Sequence, residues 1–192
     1  MFQHKLILAS ASPRRIALLA DIGVVPDEII PAEIEETPHK GELPCDLAAR
    51  LAREKGNAIF AQNPTALVLS ADTVVACGRR VLPKAETSED VRHCLGSLSG
   101  RRHRVFTVVA LFLPDGRRLE KLCESCVTFA LLQEQQIETY VASGEGIGKA
   151  GGYAIQGRAA MFIRAISGSY SNIVGLPLYE VSQLLVHARY LP

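Results

Sequence analysis

Two apolar runs, "KLILAS" at residues 5–10 and "ALVLSA" at 66–71, constrain this chain most. Each is strand-length and unbroken by polar alternation, which predicts strands buried on both faces of a sheet. Such strands need helical cover, and the intervening segments supply it. Residues 13–22, "PRRIALLADI", place Ile16, Leu19 and Ala20 at helical spacing and meet a stop at Gly23. Residues 46–62 carry Leu47, Leu51, Ala58 and Ile59 at helical spacing. A weak strand at 27–31 and a polar loop at 32–43 lie between these two helices. "DTVVACGRRVL", beginning at Asp72, predicts a strand pair turning at Gly78. After a helix at 88–98, two long runs at 104–113 and 117–131 are joined by "PDGR", a hairpin signal. A helix at 134–143, a glycine-rich stretch at 144–160, a strand at 160–166, a loop at 167–172 and a helix at 177–188 complete the chain. Helices alternate with strands early and strands pair antiparallel later. The expectation is an α/β fold with a mixed sheet, in a single domain over 1–192.

Bulk properties exclude several classes. Net charge is +1, so no global field draws the chain to nucleic acid or an anionic membrane, and any anion site must be a local concentration of cations. The apolar runs are far short of the roughly 20 residues of a membrane span. The opening "MFQHKLILASASPRR" lacks the apolar segment and flanks of a secretory leader, so a cytoplasmic chain is expected. Five cysteines at scattered spacing form no disulfide framework. Cys123 and Cys126 form a C-x-x-C, but they fall in a strand-like run, where such positions face opposite ways, and no second pair exists to complete a zinc site. The basic groups at 101–104 and Arg79–Arg80 lack interleaved aromatics and read as solvated strand ends. No G-x-S-x-G elbow and no H-E-x-x-H occurs.

Chemistry is concentrated in a few strings. In "SASPRR", Ser12 suits a helix N-cap and Pro13 the first helical position. Arg14 and Arg15 then fall in the first turn, where cations oppose the helix dipole at a cost of a few tenths of a kcal/mol each. Either they are solvated surface charges, or an anion spans them and the helix end; phosphate fits, because arginine grips it bidentately. Lys55 continues the inward series Leu47, Leu51, so its ammonium either snorkels at the core edge or reaches an aqueous cleft. Asp72 and Thr73 stand at the expected carboxyl end of an apolar strand, where α/β sheets bind ligands, though a lone Asp there can also cap a turn. Glu33, Glu35 and Glu36 lie on a loop and are either solvated or, beside a phosphate, suited to magnesium. Lys84 in "VLPKAE" reads equally as a surface lysine. "GKAGGYAIQG" combines glycines that permit left-handed backbone with Lys149 and Gln156 as polar handles, and Gln156 has the donor and acceptor needed to read a base edge.

These strings, "LASASPRR", "LAREK", "ADTVV", "LSGRRHRVFT", "VTF", "IETYVASGE", "KAGGYAIQG" and "GSYSNIVGLPLYEV", resemble the Maf family in the same order over residues 5–188. The resemblance implies a two-lobed α/β structure of the inosine triphosphatase-like type, with a mixed twisted sheet and a central cleft. It implies a nucleoside triphosphate pyrophosphatase, cleaving between the α- and β-phosphates, usually as a homodimer. The glycine string is similar to the branch acting on dTTP and UTP rather than on 7-methyl-GTP. The implied phosphate-binding cations are Arg14, Arg15, Lys55 and Lys84, with Ser12 beside them in the substrate site. Glu36 and Asp72 are the implied ligands of magnesium or manganese, and Asp72 the base that activates water. Arg14, Thr73 and Gln156 are the implied selectors of the base. The family is also linked to inhibition of septum formation, so a nucleotide-binding regulator without turnover is the competing expectation. Two departures from the pattern stand out: Gly148 precedes Lys149 where aspartate is usual, and Pro83 precedes Lys84 where proline usually follows.

Overall fold

The computed structural model of the chain describes residues 4–191. The expected absence of a leader bears in part on residues 1–3, which lie outside that range. In order, the elements are β1 (Leu6–Leu8), α1 (Pro13–Asp21), β2 (Glu28–Ile29), α2 (Pro44–Phe60), β3 (Leu67–Cys77), β4 (Arg80–Leu82) and α3 (Ser88–Leu98). There follow β5 (Arg102–Phe112), β6 (Arg118–Phe129), α4 (Glu134–Ala142), a 3₁₀ turn (Arg158–Phe162), β7 (Ile163–Ser167), α5 (Tyr170–Val174) and α6 (Leu178–His187). One seven-stranded sheet has the order β2-β1-β3-β5-β6-β7, with β4 also paired to β3. β1 is parallel to both of its neighbours, and every other pairing is antiparallel. This is the mixed α/β sheet that the alternation of runs predicts.

Local chemistry accounts for the main helices. Pro13 and Pro44 sit at the first positions of α1 and α2, where a missing N–H is harmless. After α1, Gly23 at φ 71° lets the Val24 N–H reach the Leu19 carbonyl at 2.9 Å and stop the helix. Thr87 and Asp90 cap α3 reciprocally. α2 covers one sheet face through Leu47, Ala48, Leu51 and Ala52, packed on Val74, Ala76, Phe106 and Val108. The opposite face carries the larger core, built from α1, α3 and α6 on Leu6, Leu8, Val75, Val105 and Val109. Each fully buried leucine in these layers contributes about 1.5–3 kcal/mol.

Three sequence expectations change. β3 does not end at Asp72 but runs unbroken to Cys77, because β5 pairs with it from Val68 to Ala76. Asp72 is therefore mid-strand, opposite Val108. The strand expected at 160–166 begins as the 3₁₀ turn and becomes β7 only at Ile163. The loop expected at 167–172 contains α5, whose N-cap Ser169 accepts the Asn172 N–H at 3.2 Å. The two C-x-x-C thiols are free on β6, and burial, with Glu180 nearby, pushes the Cys123 thiol up to about 11.

The edge of β3 away from β5 positions the site. β1 pairs with it at Leu67–Leu69 and β4 at Val75–Cys77. Between them, among the described residues, no strand pairs with Ser70–Val74 on that edge. The gap opens a central cleft with β1 and α1 on one side and β4, α3 and the glycine stretch on the other. Two packing details hold its walls. Gly56 of α2 is buried so close to Phe112 and Ser70 that a Cβ there would lie 2.7 Å from Phe112 Cζ and from Ser70 Oγ. His103 of β5, 1% exposed, is hydrogen-bonded through Nε2 to Tyr153 Oη at 2.8 Å and packs edge-on to Phe129, which ties the glycine stretch to the sheet.

Gly56→Ala should lower stability by about 1–3 kcal/mol in urea unfolding, overpacking outweighing alanine's better helix propensity. His103 supplies a pH test. Burial pulls it down to about 4, so below its unfolded value near 6.5 the unfolded chain takes up a proton that the native chain resists. Stability is lost as pH falls through that window, on the order of 1–3 kcal/mol from this residue. His103→Gln should therefore show a smaller drop in unfolding free energy between about pH 7 and about pH 4.5 than the unsubstituted chain.

Candidate active site

The cleft encloses about 900 Å³, and all nine residues that the family resemblance assigns to the site line it: Ser12, Arg14, Arg15, Glu36, Lys55, Asp72, Thr73, Lys84 and Gln156; of the loop acids Glu35 joins Glu36 there, and Glu33 does not. A second hollow of about 770 Å³, beside Pro114 and His187, contains none of them. Asp72 and Thr73 are neighbours on one strand and so point to opposite sheet faces. Both reach the cleft because the edge between them is open.

On the α2 face, Lys55 emerges one turn after Leu51. Its ammonium lies 2.6 Å from Asp72 Oδ1 and 2.6 Å from Glu36 Oε1. The lysine and Asp72 side chains are only 13% and 10% exposed, whereas Glu36 is 56% exposed on its loop. An ammonium and a carboxylate this far from water need each other. The two carboxylates converge on one point although 36 residues separate them in the chain. Among the described residues no group of three or more ligating side chains exists. The donor set is thus two hard oxygens, which suits magnesium completed by phosphate oxygens and water rather than a protein-only cage.

On the opposite face, Arg15 is braced by the protein itself. Nε donates to the Gly175 carbonyl at 2.8 Å, Nη1 to Ser10 Oγ at 3.1 Å and Nη2 to Thr73 Oγ1 at 3.2 Å. Burial lowers its pKa, Asp72 and Glu36 draw it back up, and Arg14 lowers it. Thr73 Oγ1 also meets Thr107 Oγ1 at 2.9 Å, which in turn reaches the Asn172 carbonyl at 3.4 Å. Arg14 is held more lightly, with Nε donating to the Val174 carbonyl at 3.3 Å. Ser12 occupies the N-cap position of α1, but its hydroxyl makes no capping bond. Its carbonyl instead accepts the Arg15 and Ile16 N–H groups at 3.1 and 3.3 Å.

The third wall is the glycine stretch. Lys84 and Ala150 form an isolated antiparallel bridge, secured by Gly148 N–H to the Ala85 carbonyl at 2.7 Å and Ala85 N–H to the Lys149 carbonyl at 3.1 Å. Gly151 and Gly152, both at φ 69°, need the left-handed region, and they also press on Val75 and Cys94 so closely that a Cβ would clash. Gln156 sits exposed on the rim. Sequence reasoning missed Ser10 and the Val174–Gly175 carbonyls that hold the arginines. Their only trace was "SNIVG", whose glycine takes φ 130°.

With this geometry in view, residues 5–188 match the family described as Maf-like protein. The chain is 56% identical over 180 residues to the dTTP/UTP pyrophosphatase of Paramagnetospirillum magneticum, covering 94% of this chain and 95% of that one. It is 54% identical over 188 residues to the dTTP/UTP pyrophosphatase of Mesorhizobium japonicum, covering 95% and 90%. Among solved structures, a HAM1 protein from Coxiella burnetii shares the fold, with TM-score 0.51 at 17% identity over 95% of this chain and 98% of that one. By its family match and these relatives alike, the chain belongs to the Maf family.

Proposed function

We propose that this protein is a nucleoside triphosphate pyrophosphatase that hydrolyses dTTP and UTP to the monophosphate and pyrophosphate. The observation that carries this reading is a single cleft with a carboxylate pair on one side, Asp72 and Glu36 around Lys55, and clustered cations on the other. The names of relatives at 54–56% identity support the substrate assignment. A triphosphate is the anion such a cleft suits, because one end must meet a base and a metal while the rest meets positive charge.

In this reading Asp72 accepts a proton from a water whose oxygen attacks the α-phosphorus. The bond from that phosphorus to the oxygen bridging the β-phosphate breaks, and the electron pair leaves with pyrophosphate. Lys55 holds Asp72 and Glu36 in place through its two ion pairs. Magnesium, or manganese, held by Glu36 and Asp72, would neutralise phosphate charge as it develops. Arg14, Arg15 and Lys84 bind phosphate oxygens, with Ser12 at the turn beside them. Gln156, Thr73 and Arg14 select the base, Gln156 through its paired donor and acceptor. Most of the rate gain is positioning and electrostatics. We further propose a homodimer acting in the cytoplasm as one functional domain; among the described residues no helix is long and apolar enough to cross a membrane.

Purified protein with magnesium should release pyrophosphate and monophosphate from UTP and dTTP, and release of orthophosphate instead would overturn the proposal. Asp72→Asn should lower turnover by about 10²–10⁴-fold while the melting transition stays intact. Arg14→Ala should lose about 2–4 kcal/mol of transition-state stabilisation, read from kcat/KM.

A further inference from the structure

Lys149 is a cation that the assignments above leave without a role. It is half-buried in the cleft, with Lys84 in the same wall and Arg14, on the α1 side, near enough for both charges to act on it. The backbone puts it there by design of the fold: the Lys84–Ala150 bridge, the two hydrogen bonds flanking it and a third from Gly151 N–H to the Pro83 carbonyl at 3.1 Å lock residues 83–85 against 148–151.

The cations of the cleft fall into two kinds. Lys55 is balanced by two carboxylates, and Arg15 has three acceptors within the protein. Arg14, Lys84 and Lys149 are different: among the described residues none of the three stands in an ion pair. The Lys149 ammonium reaches only the Ile147 carbonyl at 3.4 Å, the outer limit of a hydrogen bond. Gly148, at the position where aspartate is usual, brings no carboxylate, and a side chain there would start 3.8 Å from Lys84 Cε. Burial, then Arg14 and Lys84, lower the Lys149 pKa, as expected for like charges gathered without a counter-ion. Three cations facing one cleft from two sides are tolerated when an anion completes them.

We propose that Lys149 is a further substrate-binding cation, and that with Arg14 and Lys84 it takes the part of the phosphate chain that leaves as pyrophosphate. The proposal rests on the pyrophosphatase reading above. Charge complementarity decides which part. Near Asp72 the positive charge of Lys55 is already matched by carboxylates, which suits the singly charged α-phosphate with its metal. The unmatched cations suit the β- and γ-phosphates, where a terminal group brings close to two negative charges at neutral pH.

The test compares the unsubstituted protein with Lys149→Met and Lys149→Arg, using UTP hydrolysis and inhibition by inorganic pyrophosphate and by UMP. Lys149→Met should lower kcat/KM by about 10–100-fold, the size of one lost charge-assisted contact. It should also raise the pyrophosphate inhibition constant about tenfold or more while the UMP constant stays within about twofold. Lys149→Arg should restore most of both losses. Lys149→Gln serves the same comparison if the methionine variant does not fold. Unchanged kinetics and unchanged pyrophosphate inhibition would overturn the proposal, as would equal weakening for pyrophosphate and UMP. If the unsubstituted protein cleaves no triphosphate, the pyrophosphatase reading itself fails. Calorimetry of inorganic pyrophosphate binding to the unsubstituted and Lys149→Met proteins then decides the cation assignment, and equal affinity would sink it.

Discussion

The interrupted edge of β3 is the constraint on which the site depends. A strand of eleven residues is paired without a break from Val68 to Ala76 on one side but only at its two ends on the other. The continuous β5 ladder supplies rigidity, and the gap supplies access. An aspartate in the middle of a closed, two-sided sheet would face a large desolvation penalty. Here the gap lets Asp72 remain 7% exposed yet reach a cleft, with Lys55 beside it to balance the charge. The same gap allows Thr73, one residue on and facing the other layer, to meet Arg15.

The cleft separates charge by layer. α2, pressed onto the sheet by the absence of a side chain at Gly56, delivers Lys55 to two carboxylates. The α1 turn delivers two arginines that oppose the helix dipole. The penalty is offset differently for each: Arg15 is absorbed into a network of Ser10, Thr73 and the Gly175 carbonyl, while Arg14 stays available to solvent and ligand. The pair that looks uniform in sequence thus has a fixed member and a more available one. Beneath the third wall, the buried His103–Tyr153 bond ties the glycine stretch to the sheet, and the Lys84–Ala150 bridge sets Lys149 beside Lys84.

Much of this was legible in the chain. Unbroken apolar runs marked the buried strands, and helical spacing together with proline and glycine punctuation located the longer helices to within a few residues, whereas α5 lay in a segment expected to be a loop. The wrong charge in the first turn of α1 and a lysine on an inward stripe each pointed two ways, to a solvated side chain or to an anion in a cleft, and the sequence left that choice open. Spacing on α2 placed Lys55 inward because positions four apart share a face. What misled was the polar interruption at Asp72, which reads as a strand end until the pairing with β5 carries the strand through it.

Sequence alone therefore determined the class of fold, the residue types of the site and the sign of the charge they require. These follow from local periodicity, propensity and covalent chemistry, which act over a turn or a strand. Only the tertiary structure decided that β3 passes through the site, that Glu36 and Asp72 share one ammonium, that Arg15 is held by a carbonyl 160 residues away, and that Lys149 stands near Arg14 and Lys84 with no counter-ion among the described residues. Those facts depend on which distant backbone segments pack together, and pairing over such separations leaves no periodic trace in the chain.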